Sequence, residues 1–280
     1  MPTVIKLKTG TSTPGTSDIT SGEVAVDTSA QKFYINDSGT IKEIGGGGGG
    51  VTSDSDENTI AGTQAGDSIT SGSGTKNTVY GYDAGTAITT GDNCVAIGHS
   101  ALKTNTTASN NVAIGYEALK DNETGTRSVA VGYEAGEVFT NNNLTAIGYQ
   151  AGLANTSGGA NTFIGQKAGL ACHSGAMNTC VGNAAGSSIT TGSTNICIGQ
   201  NVASALDAGS DNTVIGANSS LTNDASNCIV IGHDATATNN TSNEITLGDT
   251  AITKFRIPGL GFELATDSSS GFILDFGSIA

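Results

Sequence analysis

One nine-residue stretch, Asn111 to Leu119 reading NVAIGYEAL, is rewritten again and again along the chain. Its central glycine recurs as Gly62, Gly81, Gly98, Gly115, Gly132, Gly148, Gly165, Gly182, Gly199, Gly216, Gly232 and Gly248, at steps of 16 to 19 residues and mostly 17. A short fixed period is the mark of a solenoid, in which each coil stacks on the next and none buries its apolar face alone. The recurrence therefore predicts an all-β protein: a parallel β-solenoid or β-roll of about twelve 16–19-residue coils.

The columns of the repeat assign work to each residue of a coil. The residue before the glycine is Ile, Val or Leu in most copies (Ile97, Ile114, Val131, Ile147), and the residue two earlier is only Thr, Val or Ile (Val112, Val129, Thr162, Ile229). Two β-branched columns spaced by two share one face of a short strand, and we expect that face to form the apolar core. The residue between them is more mixed (Ala113, Ala130, Phe163, Cys197) and is expected to meet a second surface, which would be a contact between chains. The glycine ends the strand at a tight bend or close backbone approach. Three residues on comes a small corner, usually Ala, followed by Gly or Leu. Four before the glycine stands Asn in seven copies (Asn58, Asn77, Asn111, Asn161, Asn178, Asn195, Asn212), a residue whose amides can hydrogen-bond up a stack. The variable Thr, Ser, Asn and Gly of the remainder read as a second weak strand plus turns.

Copies such as NVAIGYEAL (111–119), SVAVGYEAG (128–136) and CVAIGHSAL (94–102) resemble the head repeats of trimeric autotransporter adhesins. That resemblance implies a left-handed parallel β-roll with three chains packed into one head. The period here is longer than that family's usual coil, and neither a secretion signal nor a membrane anchor accompanies it. The same repeats occur in fibre proteins of tailed bacteriophages, and the segment Ser21 to Asp37, SGEVAVDTSAQKFYIND, resembles small N-terminal modules of phage tail fibres.

Outside the repeat the chain divides readily. Residues 1–44 read as a small β attachment module with strands at Val4–Lys8, Gly22–Asp27, Lys32–Ile35 and Ile41–Ile44. Residues 45–57 begin with six consecutive glycines and read as a hinge and lead-in. The repeat shaft occupies 58–248, and 249–280 hold three stronger strands read as a C-terminal β cap over the open end of the solenoid.

Composition narrows the function classes. Only 13% of residues are charged, which suits stacked coils that would set like charges in a ladder. A net charge of −14 argues against nucleic acid as a partner, because phosphate binding needs clustered Lys and Arg. No apolar run is long enough to span a bilayer, and MPTVIKLKTG has no apolar signal core, so no membrane insertion is expected and synthesis is assigned to the host cytoplasm. The five cysteines (Cys94, Cys172, Cys180, Cys197, Cys228) form no CxxC and read as small buried residues in a reducing compartment. With His99, His173 and His233 they make no zinc pattern, and no calcium-loop motif appears, so no metal or cofactor is expected.

One surface column is informative. The residue after the glycine is Tyr82, His99, Tyr116, Tyr133 and Tyr149 in five successive coils, a stripe suited either to a seam between subunits or to a glycan. Beside it Glu117 and Glu134 occupy equivalent places in adjacent coils, the arrangement a glycosidase would need. A surface ladder supported by Lys120 or Arg127 is the simpler reading, and no nucleophile motif accompanies the pair, so no catalytic residue is assigned. These readings converge on a non-enzymatic structural protein: a homotrimeric tail or capsid fibre of a phage virion. Residues 1–44 would dock on a phage tail or capsid protein, and the coils would meet a host-surface glycan or protein. A capsule-degrading tailspike and a bacterial surface adhesin are the rival readings.

Overall fold

The computed structural model describes residues 8–15, 17–19, 23–27, 32–37, 40–44, 52–238, 241–257, 262–267 and 271–275. The glycine run Gly45–Gly50, read above as a hinge, lies outside them. Among the described residues there are twenty strands in three sheets and no helix.

The central sheet is the solenoid. Its parallel strands are β6 (Thr59–Ala61), β7 (Thr78–Tyr80), β8 (Val95–Ile97), β9 (Val112–Ile114), β10 (Val129–Val131), β11 (Thr145–Ile147), β12 (Thr162–Ile164), β13 (Thr179–Val181), β14 (Ile196–Ile198), β15 (Thr213–Ile215), β16 (Ile229–Ile231) and β17 (Ile245–Leu247). Each pairs in register with the next, so every repeat column becomes a physical column: Ala113 lies opposite Ala130, and Phe163 opposite Cys180. A two-residue strand, β5 (Thr52–Ser53), pairs antiparallel with β6 and covers the first edge of the stack.

The inside and the outside of the strand are the reverse of the sequence-based expectation. In β9 the middle residue Ala113 is buried, while Val112 is half-buried and Ile114 is 36% exposed. Phe163, Cys197 and Val214, expected at a second surface, are likewise enclosed within the coil. The lumen of so short a coil is narrow, and it selects for volume rather than for β-branching. Ala fills the middle position in four successive strands, at Ala96, Ala113, Ala130 and Ala146. The two β-branched columns point outward.

A lumen this tight is filled by exchange among positions. Where the residue after the corner alanine is large, as at Leu102 and Leu119, the position three further on is Asn105 or Asn122. Where it is glycine, as at Gly85, Gly136 and Gly186, that position carries Ile88, Phe139 or Ile189. Coils with Gly152 and Gly169 carry instead Asn155 and Cys172, and the ring of Phe163 lies against both glycines.

Among the described residues the rest of each coil holds no second strand. It is made of turns tied coil to coil by backbone bonds, such as Leu102 N to the Ala118 carbonyl at 3.1 Å and Thr89 N to the Thr106 carbonyl at 2.8 Å. Among the described residues a single bridge, Ser220 to Thr236, stands apart from the named strands. The Asn column does bond along the axis, chiefly through the backbone. Asn161 Oδ1 accepts from Asn178 N at 2.8 Å, and its Nδ2 donates to the Gly175 carbonyl at 2.7 Å. Direct amide-to-amide bonds add to this farther on, from Asn195 to Asn178 and from Asn212 to Asn195.

The glycine column is a close approach between coils, as is a second set of glycines in the turns, Gly125, Gly158, Gly175 and Gly209. Gly115 has φ +134°, and a Cβ there would stand 2.3 Å from the Gly132 carbonyl oxygen, so no side chain fits. The column ends at Gly248, which is covered by the side chain of Ile252 instead of by another glycine. In that last coil the interior turns polar: Glu244 takes the place of the stacked Asn and accepts from Thr238 N, Thr238 Oγ1 and Thr246 Oγ1.

Toward the N-terminus, β1 (Lys8–Gly10), β2 (Val24–Asp27), β3 (Lys32–Asp37) and β4 (Thr40–Ile44) form a four-stranded sheet in that order, parallel between β1 and β2 and antiparallel beyond. Of the strand expected at Val4–Lys8 only Lys8 is described, and it opens β1; residues 4–7 lie outside the described residues. Ile19, Ala25 and Tyr34 are buried there, and Asn36 Nδ2 donates to the Ile19 carbonyl at 2.6 Å. After the solenoid, β18 (Lys254–Ile257), β19 (Phe262–Asp267) and β20 (Gly271–Asp275) form an antiparallel meander.

Candidate functional site: the aromatic ladder and its polar flank

The glycine bend turns the chain so that the next side chain leaves the sheet. Because that residue repeats in register, five coils set their rings one above another. Tyr82, His99, Tyr116, Tyr133 and Tyr149 stand with centroids 4.9–5.3 Å apart and planes within 9–24° of parallel. The spacing is that of neighbouring strands, so the ladder is imposed by the backbone. The sequence placed these five residues in one stripe, and the structure brings them together. What the sequence left out is orientation: the rings cover one another's faces and present edges and tips to solvent. The four tyrosines are 40–49% exposed.

Next to the rings runs a second row, Asp83, Ser100, Glu117, Glu134 and Gln150, each held in the left-handed region with φ between +52° and +56°. The same conformation recurs at this place in coil after coil, so it is a property of the corner rather than local strain. Its side chains are tied down. Lys103 Nζ meets Asp83 at 2.9 Å, Gln150 Nε2 donates to Glu134 at 2.8 Å, and Ser100 Oγ lies 3.0 Å from His99 Nδ1. Lys120 Nζ meets Glu137 at 2.6 Å and Glu117 at 3.0 Å. Arg127, the other candidate support, bonds Asn143 Oδ1 instead.

The electrostatics follow these contacts. Hydrogen bonding to Glu137, ahead of that to Glu117, raises Lys120 above the ordinary lysine range. Burial pushes Glu117 upward, but bonds from Lys120 and Tyr116 outweigh it and hold the carboxyl below its usual range. Acceptance by Glu117 and Glu134 raises the phenols of Tyr116 and Tyr133. Glu117, Glu134 and Glu137 converge within 4.8 Å, a geometry that would suit a cation, and the ammonium of Lys120 already lies against two of them. A carboxyl held low by an ammonium is also poorly placed to donate a proton, so Glu117 does not suit the role of general acid.

Elsewhere, a cavity of about 510 Å³ opens at the last coil beside Thr238, Glu244, Thr246 and Asp249, away from the ladder. The five cysteines are buried and unpaired; Cys180 and Cys197 are register partners in the lumen, and burial pushes Cys172 up to about 11. Among the described residues no helix is long and apolar enough to cross a membrane.

The feature that sequence reasoning misplaced is the outer face of the sheet. From Thr59 to Leu247 its two columns carry only Thr, Val, Ile, Leu, Ala and Tyr, with no charge in any coil. Ile147, Ile164, Ile198 and Ile231 are 37–40% exposed there, and Ile245 is 69% exposed. At twelve strands and about 10 Å across, the strip is on the order of 500 Å², as large as the functional patches of typical monomers. Parity could have located it: Asn111 and Ala113 are two apart and share a face, so a stacked Asn column commits the middle column to the lumen. Comparison with protein-family models, with curated proteins and with solved structures found no match to this chain.

Proposed function

We propose that this chain is the subunit of a homotrimeric fibre of a phage virion, carried on tail or capsid and made in the host cytoplasm, which attaches the particle to a host surface. The observation that carries this reading is the uncharged apolar strip along the whole solenoid, a surface that water disfavours and a second and third copy would cover in register. Stacked coils with a filled lumen make a stiff rod. Repetition along that rod offers many weak contacts that add through avidity. The four-stranded N-terminal sheet supplies a separate small body for docking onto a phage tail or capsid protein, leaving the coils to meet a host glycan or protein. This function is mechanical and adhesive and requires no catalysis.

Light scattering on the purified protein tests the assembly, and the expected mass is three times the 27.7 kDa chain. Removing residues 1–44 should leave a folded trimeric shaft that no longer enters particles. A monomer at micromolar concentration, or normal incorporation of the shortened chain, overturns the corresponding part of the proposal.

A further inference from the structure

The outer apolar strip runs the length of the solenoid, whereas the aromatic ladder stops after five coils, where Gln166 succeeds Tyr149. A seam between copies needs the strip in every coil and gains nothing from rings confined to one half. The ladder therefore calls for an occupant of its own, some four steps of about 5 Å long.

Resting on the reading of the shaft as the host-facing part of a fibre, we infer that the ladder binds a neutral, extended polysaccharide lying parallel to the fibre axis, one sugar to a coil. The period is the first ground: a pyranose in an extended chain advances by about the spacing of these rings. Charge is the second. The acidic side chains along the ladder are engaged within the chain, Asp83 by Lys103, Glu117 by Lys120 and Glu134 by Gln150, so no surplus of cationic groups is on offer to an anionic ligand.

Ring orientation is the third ground. With faces turned to one another, the tyrosines offer their electropositive edges, which suit the oxygen atoms of a polyol better than a hydrocarbon. The phenols of Tyr116 and Tyr133 are exposed, and their oxygens can accept from and donate to sugar hydroxyls.

Calorimetric titration of the full chain with cellohexaose, chitohexaose and maltohexaose tests the inference. The first two are extended β-1,4 chains, and the third is a curved α-1,4 chain. At least one extended hexaose should bind saturably and at least tenfold more tightly than maltohexaose. The double substitution Tyr116→Ala/Tyr133→Ala should weaken that binding at least tenfold. Should this variant misfold, Tyr116→Phe/Tyr133→Phe keeps the stack, removes the phenol oxygens, and should weaken binding severalfold. Absence of saturable binding by both extended chains, equal binding of maltohexaose, or unchanged affinity in the phenylalanine variant overturns the inference. The fibre reading is judged separately: a parent that scatters as a trimer yet binds no hexaose loses only the ligand, and one that binds as a monomer loses only the assembly.

Discussion

Asn161 is enclosed on every side, and each of its polar atoms has work to do. Its Oδ1 takes the Asn178 amide, and its Nδ2 serves the carbonyls of Gly158 and Gly175. Replacing it by Ala leaves the buried Asn178 N–H without its acceptor and takes one donor from each of the Gly158 and Gly175 carbonyls, which keep Asn155 Nδ2 and Cys172 Sγ. Such an orphan costs about 1–3 kcal/mol. We expect Asn161→Ala to lower the thermal midpoint by several degrees, read by circular dichroism, with little change in quaternary state. Burial alone does not guarantee satisfaction in this column of turns, since the Nδ2 of buried Asn122 has no acceptor among the described residues. A variant that melts with the parent would mean that solvent reaches the Asn column.

At the scale of the element, the corner built around Lys120 joins two coils through one ammonium. Glu117 is held below its normal range, so its contribution is complete above that range and is lost as pH falls through the folded value. Lys120 is raised, so its contribution is complete below the ordinary lysine value and is lost only as pH climbs past the folded one. Near neutrality both are therefore fully present. In Lys120→Met, three carboxylates within 4.8 Å repel one another, and protonation relieves the repulsion. The parent should melt lower at pH 4 than at pH 7, whereas the variant should lose stability at pH 7 and recover part of it at pH 4. Parallel pH profiles for the two proteins would show that solvent already screens the cluster.

For the whole molecule, the decisive question is what each face of the strand touches. Ile198 points outward and Phe163 inward, so an aspartate should have different consequences at each place. Ile198→Asp puts a carboxylate into the strip and should convert the proposed trimer to folded monomers, with an unchanged circular dichroism spectrum and a lighter scattering mass. Phe163→Asp buries an unpaired charge in a lumen with no room for water and should abolish folding, at a cost of several kcal/mol. Unfolding by both variants would mean that the coil does not stand without its neighbours.

The repeat determined a good deal by itself. A nearly constant step with a recurring residue in each column fixes the number of coils, the parallel direction and the in-register pairing, because any slip would take glycine from a place where the backbones touch. It also fixes the vertical company of each side chain, which is why the Tyr82 to Tyr149 stripe was legible before any coordinates. Alternation along a strand defines two faces without saying which one the chain closes over. That choice was made by residues far along each coil, Leu102 and Leu119 in some, Phe139 and Ile189 in others, whose volumes leave room for Ala113 but not for a column of isoleucines. Closure is non-local, so the β-branched columns that looked like a core became the surface. Ring orientation and the convergence of Glu117, Glu134 and Glu137, two of them on Lys120, were decided at the same level, by the angle at which the glycine bend delivers the corner.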